Sequence, residues 1–243
     1  MTDSLDPHRR AELVSSLAAF RGRLANACSR FGRDPRAITL VAVTKGFPAS
    51  DVAILAGLGV RDFGESRDQE ARRKVADASA ALASTGLTMS WHFVGRLQTN
   101  KCRSVARYAD VVHSVDRLEV AAALGAGAVR VQREIAVFLQ LSLDGDPARG
   151  GVPEPRILPL AEMVARTEGL RLIGVMAIAP MAADPRVAFA ELARVADLVR
   201  ARHPDAHFIS AGMSADLEAA IEHGATHVRI GSALLGRRSS NIG

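Results

Sequence analysis

Residues 40–48 read LVAVTKGFP, an apolar run that reaches a lysine just before Gly–Phe–Pro. An uninterrupted apolar run bounded by turn residues is typical of a strand that is buried on both faces of a parallel sheet. The stretch therefore predicts a buried strand that carries a charged ammonium group, that of Lys45, at its carboxyl end.

The same pattern recurs along the chain, where apolar runs alternate with polar turns and amphipathic segments. The predicted strands are 38–45, 60–64, 90–95, 111–115, 135–143, 172–178, 208–211 and 228–231. The predicted helices include 7–31, 50–58, 69–83 and 185–202. Strands that alternate with helices form parallel sheets. Eight such units in 243 residues predict one α/β domain over 1–243, a single (β/α)8 TIM-type barrel with an extra N-terminal helix and no C-terminal β domain. A doubly wound sheet is the alternative.

Composition narrows the class of protein. The chain is 48% hydrophobic with a formal net charge of +5, which is too apolar for a disordered segment. Its basic residues are scattered in short runs such as 72–74 with few aromatic neighbours, which disfavours nucleic-acid binding. The N-terminus is charged, unlike a signal peptide, and the longest uncharged apolar stretch, 172–183, is too short to span a membrane. Two cysteines without a disulfide framework complete the prediction of a cytoplasmic protein.

Lys45 lies where barrels of this kind carry their functional groups, at the carboxyl end of a strand. An ordinary solvated charge is the simplest interpretation of a lysine in this position. The alternative is a lysine that forms a Schiff base, a reaction that requires the neutral amine and is favoured by burial.

Two short loops predict an anion site opposite Lys45. Gly212, Met213 and Ser214 follow the seventh predicted strand, and Gly231 and Ser232 follow the eighth. Small residues let backbone N–H groups approach a phosphate, and the loops after strands seven and eight are the usual phosphate site of this fold. Either loop alone is explained as well by helix caps and tight turns. The two together favour a phosphate site.

Arg229 and His92 are further candidate binding residues. Arg229 shares a strand face with Gly231, and a guanidinium inside a barrel needs an acceptor, either a carboxylate or a heterocyclic nitrogen. Because arginine stays protonated, it would keep such a nitrogen unprotonated. His92 shares a strand face with Val94, although a hydrogen-bonded core histidine is its simpler interpretation.

Several longer segments carry a family resemblance. They are LVAVTK (40–45), FGES (63–66), WHFVGRLQTNK (91–101), HSVDR (113–117), GVMAIAP (174–180) and GMSADLEAAIEHGATHVRIG (212–231). In order and spacing they resemble the pyridoxal-phosphate homeostasis protein family, whose members are similar to the N-terminal barrel of alanine racemase. They extend over almost the whole chain.

The resemblance implies a fold-type III barrel that holds pyridoxal 5′-phosphate as an internal aldimine on Lys45. The other implied contacts are phosphate contacts from Ser214, Gly231 and Ser232, with Met213 nearby through its backbone, and Arg229 at the pyridine nitrogen. The implied role is that of a carrier or buffer in vitamin B6 homeostasis, with pyridoxal-phosphate-dependent apo-enzymes as candidate recipients. A monomer is expected, with a dimer as the alternative.

Two positions depart from the family pattern. Ser66 stands where the family usually has asparagine after FGE, and its shorter hydroxyl is the candidate contact with the cofactor ring or phenolic oxygen. PARGG (147–151) lacks the lysine that relatives often carry before the glycine.

The choice between carrier and enzyme depends on acid–base groups. Racemisation needs one such group on each face of a planar carbanion, and Lys45 supplies one. In alanine racemase the second is a tyrosine that comes with another domain. Here the one tyrosine, Tyr108, is predicted on the amino-terminal side of the barrel, and the chain ends soon after Gly231. An arginine at the ring nitrogen also weakens the electron sink. The sequence predicts a carrier, with a weak pyridoxal-phosphate-dependent racemase or a cofactor-free Schiff-base aldolase as alternatives.

Overall fold

Eight parallel strands pair in chain order and close into a barrel in the computed structural model, which describes residues 6–236. The strands are β1 (Thr39–Val43), β2 (Asp62–Glu65), β3 (Ser90–Phe93), β4 (Val111–Val115), β5 (Ile135–Gln140), β6 (Leu170–Met176), β7 (Phe208–Ser210) and β8 (His227–Ile230). β8 returns to pair with β1. The predicted barrel is confirmed, and the doubly wound alternative is wrong because that sheet would stay open.

Helices surround the barrel and connect its strands. They are α1 (Pro7–Arg30), α2 (Ala49–Gly57), α3 (Asp68–Leu82), α4 (Cys102–Val105), α5 (Leu118–Arg130), α6 (Ile157–Arg166), α7 (Pro185–Arg202), α8 (Leu217–Glu222) and α9 (Ser232–Leu235). The four helices predicted from the sequence all form, with ends within one residue of the prediction. The outer limits of the predicted domain, 1 and 243, lie outside the described residues.

The extra helix α1 begins where the sequence predicts. The Asp6 carboxylate accepts a hydrogen bond from the backbone N–H of His8 at 3.0 Å, and Pro7 occupies the first turn, where no amide proton is needed. Leu13, Leu17, Phe20 and Leu24 follow at helical spacing and bury one face. This face packs α1 against α8 and α9, the two helices that follow β7 and β8.

β1 ends two residues earlier than predicted, and hydrogen bonding explains the difference. The backbone N–H of Thr44 still donates to Gly64 O at 2.9 Å, as a strand residue would. Its carbonyl oxygen instead accepts from Lys74 Nζ at 2.6 Å. Lys45 therefore lies just beyond the strand, at the rim of the barrel.

Two remaining sequence predictions concern membranes and cysteines. Within residues 6–236, no helix combines the length and the apolar character that crossing a bilayer would require. Cys28 and Cys102 are both buried and unlinked. Each therefore serves as a small core residue.

Candidate functional site

A cavity of about 510 Å3 opens at the carboxyl ends of the strands. Six of the eight predicted binding residues line it: Lys45, Met213, Ser214, Arg229, Gly231 and Ser232. Apolar side chains, among them Val43, Val94 and Ile178, supply much of the remaining wall. Among its described lining residues, the two that carry charge are both cations. The arrangement suits an anionic ligand with an apolar body.

The backbone on both sides of Lys45 is held by a buried ionic cluster of Thr44, Glu65, Glu70 and Lys74. Lys74 Nζ donates to Thr44 O at 2.6 Å, to Glu65 Oε1 at 2.6 Å and to Glu70 Oε1 at 3.0 Å. Thr44 Oγ1 donates to Glu65 Oε1 at 2.6 Å. The Gly46 N–H donates to Glu70 Oε1 at 2.5 Å. The peptide groups before and after Lys45 are thus fixed by one set of charges.

Charge balance in this cluster depends on Lys74. The side chains of Glu65 and Lys74 are 1% and 5% exposed. Burial raises the pKa of Glu65, while the Lys74 charge and hydrogen bond oppose that rise. Within the described chain, Glu65 Oε2 has no hydrogen-bond partner. The sequence placed Lys74 in a scattered basic run; the signal available was Glu70 four residues earlier, the spacing of a helical ion pair.

Arg229 is held inside the barrel by neutral oxygens. It is 6% exposed, and its guanidinium donates from Nη1 to Ser210 Oγ at 2.6 Å and from Nη2 to Ala177 O at 3.0 Å. Burial lowers its pKa to about 10, although the Asp216 carboxylate opposes the change. No salt bridge to Arg229 is present within residues 6–236. Its charge therefore remains available to a ligand in the cavity.

The loops after β7 and β8 are tied to each other and to α1. Ser214 Oγ accepts a hydrogen bond from the Ala233 N–H at 3.3 Å, which joins the two loops. Arg23 of α1 donates to Ser214 O at 2.6 Å and pairs with Glu218 at 2.5 Å. Gly212 turns the first loop with a φ of +91°, and a Cβ there would lie 2.6 Å from Ala220 Cβ. Both the backbone conformation and the space require glycine.

Ser66 and His92 are not among the described residues that line the cavity. Ser66 is half-buried after β2 with its backbone against Gly95, where an added Cβ would come within 2.3 Å of Ser66 O. His92 is buried inside the barrel, where Nδ1 lies 2.8 Å from His113 Nε2 and Nε2 lies 3.0 Å from Asp62 Oδ1. Its placement matches the core-histidine alternative. Strand alternation placed His92 on the same face as Val94 but did not give its depth in the barrel.

Tyr108 belongs to a different cavity. With Trp91 and Arg133 it lines a space of about 420 Å3, none of whose described lining residues borders the cavity of Lys45. Burial raises the pKa of its hydroxyl strongly. Tyr108 thus lies outside the lining of the Lys45 cavity and is unsuited to proton transfer near neutral pH.

The histidines of the barrel interior predict instability in acid. Burial lowers the pKa of His227 to about 4, and the pKa of His113 falls well below its usual value for the same reason. Between pH 6.5 and 4 the unfolded chain takes up a proton at His227 while the folded protein does not. The free energy of unfolding should therefore fall as the pH drops through this window, by about 3 kcal/mol from His227 alone.

Urea unfolding measured at intervals from pH 7 to pH 4 checks this. His227→Gln should lose less stability than the wild type over the window, whereas His8→Gln, at an exposed position, should follow the wild type. Parallel curves for wild type and His227→Gln would contradict the prediction.

Comparison with known proteins adds a family context. The sequence model of the family described as "Alanine racemase, N-terminal domain" matches residues 15–239. A Mycobacterium tuberculosis protein named "Pyridoxal phosphate homeostasis protein" is 46% identical over 245 residues, with 96% of this chain and 95% of the relative covered. An Escherichia coli protein of the same name is 38% identical, with 93% and 97% covered. The structure of PipY of Synechococcus elongatus with PLP bound superposes with a TM-score of 0.77 at 28% identity, covering 92% of this chain and all of that one.

Proposed function

The chain belongs to the pyridoxal phosphate homeostasis proteins of the alanine racemase N-terminal domain family, and from this premise we propose that it binds pyridoxal 5′-phosphate in the cavity at the carboxyl ends of its strands and serves as a carrier or buffer of that cofactor. The observation that carries the proposal is the donor set of the cavity. One apolar space brings together an amine, a buried guanidinium and two short loops. Pyridoxal 5′-phosphate has an aldehyde, a ring nitrogen and a phosphate, so each group has a counterpart.

Each cavity residue then has a distinct task. Lys45 would hold the cofactor through a covalent bond from Nζ to the aldehyde carbon, whose oxygen would leave as water. Arg229 would donate to the ring nitrogen and, because it keeps its proton, would leave that nitrogen unprotonated. Ser214, Gly231 and Ser232 would hold the phosphate, with the Met213 backbone nearby. When bound, the cofactor supplies an electron-withdrawing ring conjugated to the attached carbon. Ser66 and His92, which are not among the described lining residues, stay predictions from the sequence.

A carrier agrees better than a racemase with the acid–base groups of the cavity. Among the described lining residues, Lys45 is the one side chain suited to giving and taking a proton near neutral pH. Tyr108, a candidate for the opposite face, lines the separate cavity. Weak racemase activity and a cofactor-free aldolase are therefore alternatives for experiment to separate.

Recipients, location and assembly complete the proposal. The recipients would be pyridoxal-phosphate-dependent apo-enzymes, which accept the cofactor that the carrier releases. The free, buried thiols of Cys28 and Cys102 support a reducing cytoplasm as the place of action. A monomer is proposed, with a dimer as the alternative; the closed barrel needs no strand from a partner.

The test is to add pyridoxal 5′-phosphate to the purified protein, reduce with borohydride and map the modified peptide by mass spectrometry. We expect a visible absorption band that reduction removes and a phosphopyridoxyl group on Lys45. Modification of Lys74 or Lys101 instead, or colourless protein, would refute the assignment. A carrier should pass the cofactor to an apo-enzyme and racemise alanine no faster than free cofactor does. An aldolase would be colourless and trapped only with its sugar substrate.

A further inference from the structure

We propose that Asp62, His92, His113 and Ser210 are positioning residues for Arg229, joined to it by a hydrogen-bond chain inside the barrel that has only one permitted direction. The chain starts at Asp62, the first residue of β2, whose side chain is 28% exposed. It ends at Arg229 on β8, which lines the cavity of Lys45. The three residues between these ends are buried.

The links are short throughout. Asp62 Oδ1 lies 3.0 Å from His92 Nε2, and His92 Nδ1 lies 2.8 Å from His113 Nε2. His113 Nδ1 lies 2.8 Å from Ser210 Oγ, which lies 2.6 Å from Arg229 Nη1. The five groups come from five different strands and connect without a gap.

Both ends of the chain determine where the protons lie. Arginine can only donate and an ionised carboxylate can only accept. Ser210 Oγ therefore accepts from Arg229 and keeps one hydroxyl proton, which it can donate to His113 Nδ1 when that nitrogen is unprotonated. His113 then carries its proton on Nε2 and donates to His92 Nδ1. His92 in turn carries its proton on Nε2 and donates to Asp62.

The reversed direction fails at the carboxylate. If His113 donated from Nδ1 to Ser210, a neutral His92 would donate from Nδ1 and turn the lone pair of Nε2 toward Asp62. That lone pair would face an acceptor, with Ser90 Oγ at 3.3 Å as its other neighbour. In the permitted direction each donor faces an acceptor, so buried polar atoms are satisfied.

The surroundings favour the neutral form of His113. Phe138 covers His113 at 4.6 Å between ring centres. His227, which faces both rings at 6.3–6.4 Å, bonds to Thr226 Oγ1 outside the chain. The nearby cation of Arg229 also disfavours a second positive charge.

The consequence for Arg229 is a fixed guanidinium. A hydroxyl that donates is a stronger acceptor, because hydrogen bonds in a chain polarise one another. The donation from Ser210 to His113 thus strengthens the contact from Nη1, while Nη2 is held by Ala177 O. The effect on the cofactor depends on the proposed function, but the proton positions do not.

The test uses protein free of cofactor and labelled with 15N in its histidines. Long-range 1H–15N correlation spectra at neutral pH report which ring nitrogen is protonated, with signals assigned from His92→Gln and His113→Gln variants. We expect both rings to be neutral with the proton on Nε2. A proton on Nδ1 of either ring, or a doubly protonated His92, overturns the proposal.

A variant pair then tests positioning. Asp62→Ala removes the acceptor at the far end of the chain, and Glu134→Ala removes an exposed carboxylate just before β5. Loss of one hydrogen bond corresponds to about a fivefold change in equilibrium. We expect Asp62→Ala to let the rings populate both tautomers and to weaken cofactor binding about fivefold, with Glu134→Ala unchanged in both. Redistributed tautomers with unchanged affinity would contradict positioning. Wild-type protein that binds no cofactor would contradict the proposed function. The direction of the hydrogen-bond chain would then be tested by the 1H–15N spectra alone.

Discussion

Lys45→Ala should fold normally and stay colourless when pyridoxal 5′-phosphate is added. The fold should persist because Lys74 and Glu70 hold the neighbouring Thr44 carbonyl and Gly46 N–H, which are backbone groups that the substitution leaves in place. The colour should be lost because the cavity then lacks the amine that forms the covalent bond. Absorbance spectra, circular dichroism and borohydride trapping provide the measurement.

The control for this variant is Lys101→Ala. Lys101 is exposed, and it does not line the cavity among the residues described. This variant should retain the colour and the trapped group. A Lys45→Ala protein with the wild-type visible band would show that another amine is the attachment point. If Lys45→Ala failed to fold, the Lys45 side chain itself would be needed to hold this backbone, contrary to the prediction.

The second large effect is expected for Lys74→Met, which should lower the free energy of unfolding by about 3–5 kcal/mol. A buried ion pair that loses one partner leaves an uncompensated charge. Here the remaining charge is that of Glu65, which is 1% exposed. Urea unfolding of wild type and variant measures the loss. Because Thr44 O also loses the hydrogen bond from Lys74 and keeps only the one from the Phe47 N–H, cofactor attachment at the adjacent residue should weaken.

Two comparisons make this prediction specific. Lys74→Met combined with Glu65→Gln should recover part of the stability, because the buried charge is removed. Arg171→Met, which breaks the exposed pair with Glu134, should cost less than about 1 kcal/mol. If Lys74→Met were as mild as Arg171→Met, the buried cluster would not support the rim of the barrel.

The pH dependence of the same variant has a defined sign. Burial raises the pKa of Glu65 in the folded protein, and removing Lys74 removes the group that opposes this rise. A folded state with a raised carboxyl pKa gains relative stability as the pH falls through that pKa. The stability gap between wild type and Lys74→Met should therefore narrow from pH 8 to pH 5.

Some features could be read from the sequence because they are local. Each strand is a contiguous apolar run, and strand ends of a barrel meet on one rim, so the positions of Lys45, Gly231 and Ser232 follow from order along the chain. The resemblance of segment 212–231 to the family predicts the positions of Ser214 and Met213 in the same way.

Other features depend on partners that spacing does not encode. His92 pairs with His113 on β4, and His113 pairs in turn with Ser210 on β7. The strand pattern around His92 does not encode these partners. Lys74 donates to a backbone carbonyl, and every residue has one, so the residue types do not reveal this partner. The helical spacing from Glu70 was the only local signal of that cluster.

The closure of the barrel has a consequence for the proposed carrier, which would repeatedly gain and lose its ligand. Every strand is paired on both sides, with β8 returning to β1, and the ligand cavity lies at the ends of the strands rather than between them. Release of the ligand therefore uncovers no open strand edge, the usual template for intermolecular β-aggregation. The empty form can accumulate and be refilled without the hazard that an open sheet would carry.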